Sequence, residues 1–485
     1  MKKQSTTAYI INLIIGLFFM FVWGKIVPTW ATLNNFGVAS IGILIGALWM
    51  TTHGFGLMGP SMLSFFAIVF SGYLKPAEVL AKTLGDQNVY LVMMCLVLTF
   101  AFTDCGAGDI IARKMISSKA LSGKPYLFTG VFLVVMFILG TLVGAMSLCL
   151  IAFAFIDAIG KAVGYDGKSH WTKMMLTIIM IAAGAAGAVL PFKAGPMMVI
   201  SMIRPSMTEA GIAFKDGLYM IAALIGGLLF IGLTLLALKP IFKVDLSKLQ
   251  DLDAEALSEG KATKLNTKQK LVTLFMCIGF AYSIVTLFLP SGNAFSAIGL
   301  PLWLSLMVIV ISFIRVDGEP LFALDRTFGR SVIWGPTFAA AAFTLIGQMM
   351  AAPDNGVRPW LTKLFGSILG GLPFPIFILL IIIIAVVCTN FFSNSATAVI
   401  LASIVAPLAI GYATGGVNPT IFCAAIANST GVAYLTMGAG GVAPVYLGLD
   451  SMRDENKWLW KNGPLLGLIY IIGAAISYII FGLIG

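Results

Sequence analysis

Residues 389–397 read Thr389-Asn390-Phe391-Phe392-Ser393-Asn394-Ser395-Ala396-Thr397. Hydroxyls and carboxamides crowd this turn, while the flanks at 377–387 and 398–402 are apolar throughout. At membrane depth such a turn has no water to satisfy it, and each unpaired polar group costs several kcal/mol. The groups must therefore bond within the protein or coordinate something. With no acid or base among them, they suit a small hard cation and a polar anion better than acid–base chemistry. The plain structural alternative is that they only bond their own backbone or a neighbouring helix.

The rest of the chain reads as a scaffold in a bilayer. Of 485 residues 59% are hydrophobic and 10% charged, against roughly 25% charged in soluble proteins. Several windows exceed the roughly 20 apolar residues that span a membrane. The 52 glycines fit close helix packing in lipid. Met1-Lys2-Lys3 resembles a signal n-region, but no small-residue cleavage site follows, so 9–27 reads as a retained first helix. The six cysteines form no CxxC and His53 and His170 lie far apart, which argues against zinc or a disulfide framework. No span carries a His/Asp/Glu cluster or a Ser/Lys dyad, which disfavours a membrane-embedded enzyme.

The pattern predicts an all-α polytopic fold of about eleven spans and a pair of re-entrant hairpins. A first helix lies within 1–30. A first repeat covers 31–238, with a hairpin at 126–159 interrupted at Gly140–Gly144 and a span at 172–200 broken at Gly184–Gly187 and Pro191–Pro196. A connector, 239–270, holds seven Lys and five acids and reads as a solvated loop in preference to a surface amphipathic helix. A second repeat covers 271–485, with the opening stretch at the tip of a hairpin, 373–410, and a second broken span at 419–448. With a cytoplasmic N-terminus, 22 of the 30 Lys and Arg fall inside and seven outside, leaving only Lys193 at membrane depth. Membrane-flanking bases thus account for the net charge of +10 without nucleic acid. Corresponding spans then run in opposite directions, with Asp104-Cys105-Gly106 and Asp354-Asn355-Gly356 at matching places. Such inverted repeats are typical of secondary transporters, where broken helices bring helix N-termini and free carbonyls to the cargo.

Thr389, then Ser393-Asn394 followed by Ser395-Ala396-Thr397, resembles the hairpin-tip pattern Ser-Asn-Thr of the divalent anion/sodium symporter family, a branch of the ion transporter superfamily. In that family the pattern occurs once in each half. Here Ser395 stands where the family usually has Thr, and the first tip, Leu142-Val143-Gly144-Ala145-Met146-Ser147, lacks the pattern. The resemblance implies a sodium site from Thr389, Ser393 and Asn394, completed by Thr436, Gly438 and Gly440. It also implies substrate contacts from Asn394 and Ser395. Thr397, Gly144, Ser147 and Lys193, at or near the two tips, are further candidate substrate contacts. Sodium is the expected coupling ion, with no other cofactor. The expected cargo is a dicarboxylate, tricarboxylate or sulfate, moved by an elevator in a homodimer, in the cell (inner) membrane. Proton coupling, sodium-independent anion exchange, or another small polar solute are the alternatives.

Lys193, between Pro191 and Gly195-Pro196, is either a snorkelling lysine or a fixed charge that stands in for a cation or pairs with the anion. Asp104 and Asp354 read as turn formers. Asp109 and Asp157 could carry protons where they face a cavity.

Overall fold

The computed structural model describes residues 6–117, 121–252, 264–286, 289, 293–357, 359–361, 363–364, 371–391, 394–436 and 442–485. The chain is an all-helical polytopic membrane protein, and its only strands among the described residues form a two-stranded ribbon, Arg315–Val316 with Glu319–Pro320. By length and apolar character, six helices among the described residues can cross a membrane, or seven if the bent pair Val89–Asp104 and Ala107–Lys114 counts as one. Shorter apolar helices fill the rest, among them His170–Ala186, Phe374–Thr389 and Thr420–Thr430.

The element order runs twice. The first pass follows α1 (Thr6–Ile26), and comprises α2 (Asn35–Thr52), α3 (Met58–Ser71), α4 (Pro76–Thr83), α5 (Gln87–Asp104) and α6 (Ala107–Ile116). The hairpin α7 (Pro125–Val143) and α8 (Ala145–Val163) comes next, then the broken span α9 (His170–Ala186) and α10 (Ala194–Glu209), then α11 (Asp216–Ala237). The second pass comprises α12 (Thr267–Val285), α13 (Ala294–Ala297), α14 (Leu300–Phe313), α15 (Leu324–Ser331) and α16 (Trp334–Ala351). It continues with the hairpin α17 (Phe374–Thr389) and α18 (Asn394–Ala413), the broken span α19 (Thr420–Thr430) and α20 (Ala443–Gly448), and α21 (Asn456–Ile484).

Hairpins and broken spans pack on one another: α8 on α9, α10 on α18 and α19, and α17 on α19. The helices α2, α3, α5, α14 and α16 form a separate set of neighbours, joined to the first mainly where α10 crosses α16. There Thr344 Oγ1 donates to Ser201 Oγ at 2.7 Å in a buried bond.

Four details differ from the sequence reading. Helix α7 continues through Gly140, and the first tip is the single residue Gly144, at φ 106° and ψ 156°. That backbone region is essentially reserved for glycine. Helix α9 continues through Gly184, so the first broken span has one interruption, at 187–193. The segment after Cys105, whose bases Arg113 and Lys114 read from sequence as part of a basic loop, is helical instead and bent by 60° from the preceding helix.

The fourth is the connector, which is docked instead of a solvated loop over its described part. Phe242, Val244 and Leu246 alternate with Lys243 and Asp245 and are buried, as are Leu249 and Leu252. The backbone is tied down by His170 Nε2 at 2.7 Å from Phe242 O, by Tyr165 OH donating to Asp245 O at 2.7 Å, and by Lys248 Nζ donating to Gly164 O at 2.7 Å. A two-residue alternation of apolar side chains, hidden among the charges, explains the docking.

Candidate functional site

The two hairpin tips and the two helix breaks meet at one cavity of about 250 Å³. Hairpin one contributes Gly144, Ala145 and Cys149, and hairpin two contributes Asn394, Ser395 and Ala398. The first break supplies Gly184, Gly187, Gly195 and Pro196, and the second supplies Thr430, Gly431 and Ala433. Each element arrives by its end. Helices α8, α10 and α18 begin at the cavity, and α9 and α19 finish there. Helix N-termini carry unsatisfied N–H groups and about +0.5 of an elementary charge each, so three of them favour an anion.

Closeness of the breaks depends on two glycines. A Cβ built on Gly184 would lie 2.1 Å from Gly431 O, and one on Gly431 would lie 2.5 Å from Gly184 O. The two broken spans therefore touch backbone to backbone, which no other residue allows.

At the second tip, Thr389 Oγ1 lies 2.6 Å from Thr430 O and 3.0 Å from Asn394 Oδ1. One hydroxyl proton cannot serve both acceptors, and turning the Asn394 amide over makes its N–H donate to Thr389 instead. With Asn394 Oδ1 facing in, a hydroxyl, an amide oxygen and a helix-end carbonyl gather at one point, all of them ligands that suit a hard cation. Thr436 Oγ1 donates to Asn390 O at 2.6 Å, so Thr436 is tied to the tip, one step removed from those three groups.

The structure brings Asn394, Ser395 and Gly144 onto the cavity wall. Thr397 is buried in α18, away from that wall. Ser147 lies in α8 near the tip. Ser393, Gly438 and Gly440 lie outside the described residues. Lys193 is the N-cap residue of α10 and does not line the cavity. Its Nζ points behind the first tip, 3.4 Å from Gly140 O in the last turn of α7. A cation there complements the negative end of the helix dipole. Lys193 is therefore no snorkelling lysine reaching for a headgroup.

Asp157 pairs with Lys161 at 2.6 Å on an exposed surface. Asp109 is exposed and lines a groove with Thr103, Gly106 and Val143, beside hairpin one. Asp354 sits in a tight turn whose carbonyl accepts from Asn34 Nδ2 at 2.8 Å, in keeping with a turn former.

Sequence reasoning missed the role of Asn390. Only 2% exposed, it uses every donor and acceptor of its amide. Nδ2 donates to Val386 O at 2.8 Å and Val432 O at 3.0 Å, and Oδ1 accepts from Tyr434 N at 2.8 Å and Leu435 N at 2.9 Å. It fastens the second tip to the second break. The available signal was an asparagine one residue beyond an apolar helix, where an amide must find four partners or remain unsatisfied.

No protein-family model and no curated protein sequence matches the chain. Among solved structures, the chain resembles the YdaH transporter of Alcanivorax borkumensis, described as having an unusual topology. The TM-score is 0.54 over 84% of this chain and 88% of that one, at 14% identity. At that identity the likeness is one of fold alone.

Proposed function

We propose that the chain is a secondary active transporter that moves a small anion together with sodium. The observation that carries this reading is the convergence of two hairpin tips and two helix breaks on one cavity that three helix N-termini face. Binding sites at such interruptions are the means by which transporters desolvate a polar cargo inside a bilayer. Asn394 and Ser395 hold the anion, and sodium sits at Thr389, Asn394 and the Thr430 carbonyl, with Thr436 tied to the same tip. Lys193 acts as a fixed cation that stabilises the first tip from behind.

The hairpins and broken spans move as one body against α2, α3, α5, α14 and α16, sliding where α10 crosses α16. The second set provides the contact for a homodimer. The N-terminus lies in the cytoplasm and the protein in the cell (inner) membrane, in keeping with the distribution of Lys and Arg.

The test is tracer uptake of anions into proteoliposomes with and without an inward sodium gradient. Uptake that needs the gradient is the expected result, and uptake indifferent to sodium overturns the coupling. Uptake that requires trapped internal anion favours the second reading, sodium-independent exchange. That reading draws on the first tip, which turns on Gly144 with no side-chain cap.

A further inference from the structure

The two ends of the cavity are chemically unlike. Hairpin two presents a carboxamide and a hydroxyl, Asn394 and Ser395. Hairpin one presents a methyl group and a thiol, Ala145 and Cys149. Cys149 Sγ makes its contact with Met180 Sδ, at 3.9 Å, and Met180 and Met198 continue that apolar wall. Among the described residues no Lys or Arg lines the cavity, and the nearest base in sequence, Lys193, directs Nζ to Gly140 O.

We infer that the cargo is a small monoanion with an apolar body, such as a short-chain monocarboxylate or alkylsulfonate, bound head to hairpin two and tail to hairpin one. This rests on the transporter reading above. The headgroup takes the amide of Asn394, the hydroxyl of Ser395 and the free N–H groups that open α18. The tail lies against Ala145, Cys149 and Met180, surfaces that gain by excluding water. A second carboxylate at that end would lose its hydration and meet carbon and sulfur, with only the starts of α8 and α10 to offset its charge. Dicarboxylates and sulfate are therefore the poorer cargoes. The cavity of about 250 Å³ equals the liquid volume of about eight waters, enough for a monoanion of a few carbons.

The experiment uses the full chain in proteoliposomes with an inward sodium gradient and three tracers: propane-1-sulfonate, succinate and sulfate. The sulfonate stays ionised and does not leak through the bilayer as a neutral acid. The expected result is sulfonate uptake with a half-saturation concentration about tenfold or more below those of succinate and sulfate. Cys149→Ser and Ala145→Ser, which add hydroxyls at the apolar end, should narrow that ratio. If succinate or sulfate is carried and the sulfonate is not, the inference fails and anion transport stands. If none of the three is carried, both fail. The wild-type ranking decides the matter even if the serine variants do not fold.

Discussion

Replacing Asn390 by alanine separates a hairpin tip that is fastened to its neighbouring break from one that merely lies beside it. The amide makes four bonds between 2.8 and 3.0 Å. Truncation strands the N–H groups of Tyr434 and Leu435, with Tyr434 only 1% exposed. A buried donor left unpaired costs about 1–3 kcal/mol, so Asn390→Ala should cost about 2–6 kcal/mol. Thr436→Val is the graded comparison. It removes only the bond to Asn390 O and should cost about 1 kcal/mol. The assays are thermal unfolding of purified protein and the sodium concentration for half-maximal uptake. Where about 2 kcal/mol falls on the ion-bound state alone, that concentration rises about thirtyfold, since every 1.4 kcal/mol is a factor of ten. If Asn390→Ala unfolds at the wild-type temperature with half-saturation within about twofold of wild type, the fastening argument is refuted. The same holds if Thr436→Val proves the more damaging of the two.

Thr389→Val keeps the shape but removes the hydroxyl shared between Thr430 O and Asn394 Oδ1, and should raise half-saturation by sodium about tenfold, read by uptake at graded sodium. Gly184→Ala drives a Cβ into Gly431 O and should destabilise the protein by about 1–3 kcal/mol while lowering uptake, read by thermal unfolding beside transport. Lys193→Met removes the cation from the end of α7. It should slow turnover up to about thirtyfold, the equivalent of about 2 kcal/mol at a partly buried helix end. Half-saturation by the anion should change little, because Nζ does not line the cavity. Separate measurement of maximal rate and half-saturation distinguishes this from a direct anion contact.

Much of the helical plan was legible because bilayer-scale apolar runs and Gly/Pro interruptions leave a strong mark. The tip at 390–393 and the break after Thr430 follow directly from polar residues placed inside apolar sequence. The exact interruptions were less legible. Gly140 and Gly184 look like breakers, yet neighbouring helices hold both inside continuous helix, and Gly184 is glycine for contact with Gly431. The connector was misread because charge masked a two-residue apolar alternation at Phe242, Val244 and Leu246. In the site, the resemblance pointed to Asn394 and Ser395, which line the cavity, but could not show that Thr397 does not, since that depends on how α18 packs. Lys193 stood out as an intramembrane base. Its partner, a backbone carbonyl 53 residues away, has no sequence signature.

The contact between Gly184 and Gly431 has a bearing on selectivity. Each carbonyl lies where the other glycine's side chain would be, so the two breaks pack as closely as backbones allow. On the proposed transport cycle the two breaks move together, and the binding chamber keeps one set of walls whichever side of the membrane it opens toward. The rank order of cargoes and competitors should then be the same from the two faces, even where the rates of loading and release differ.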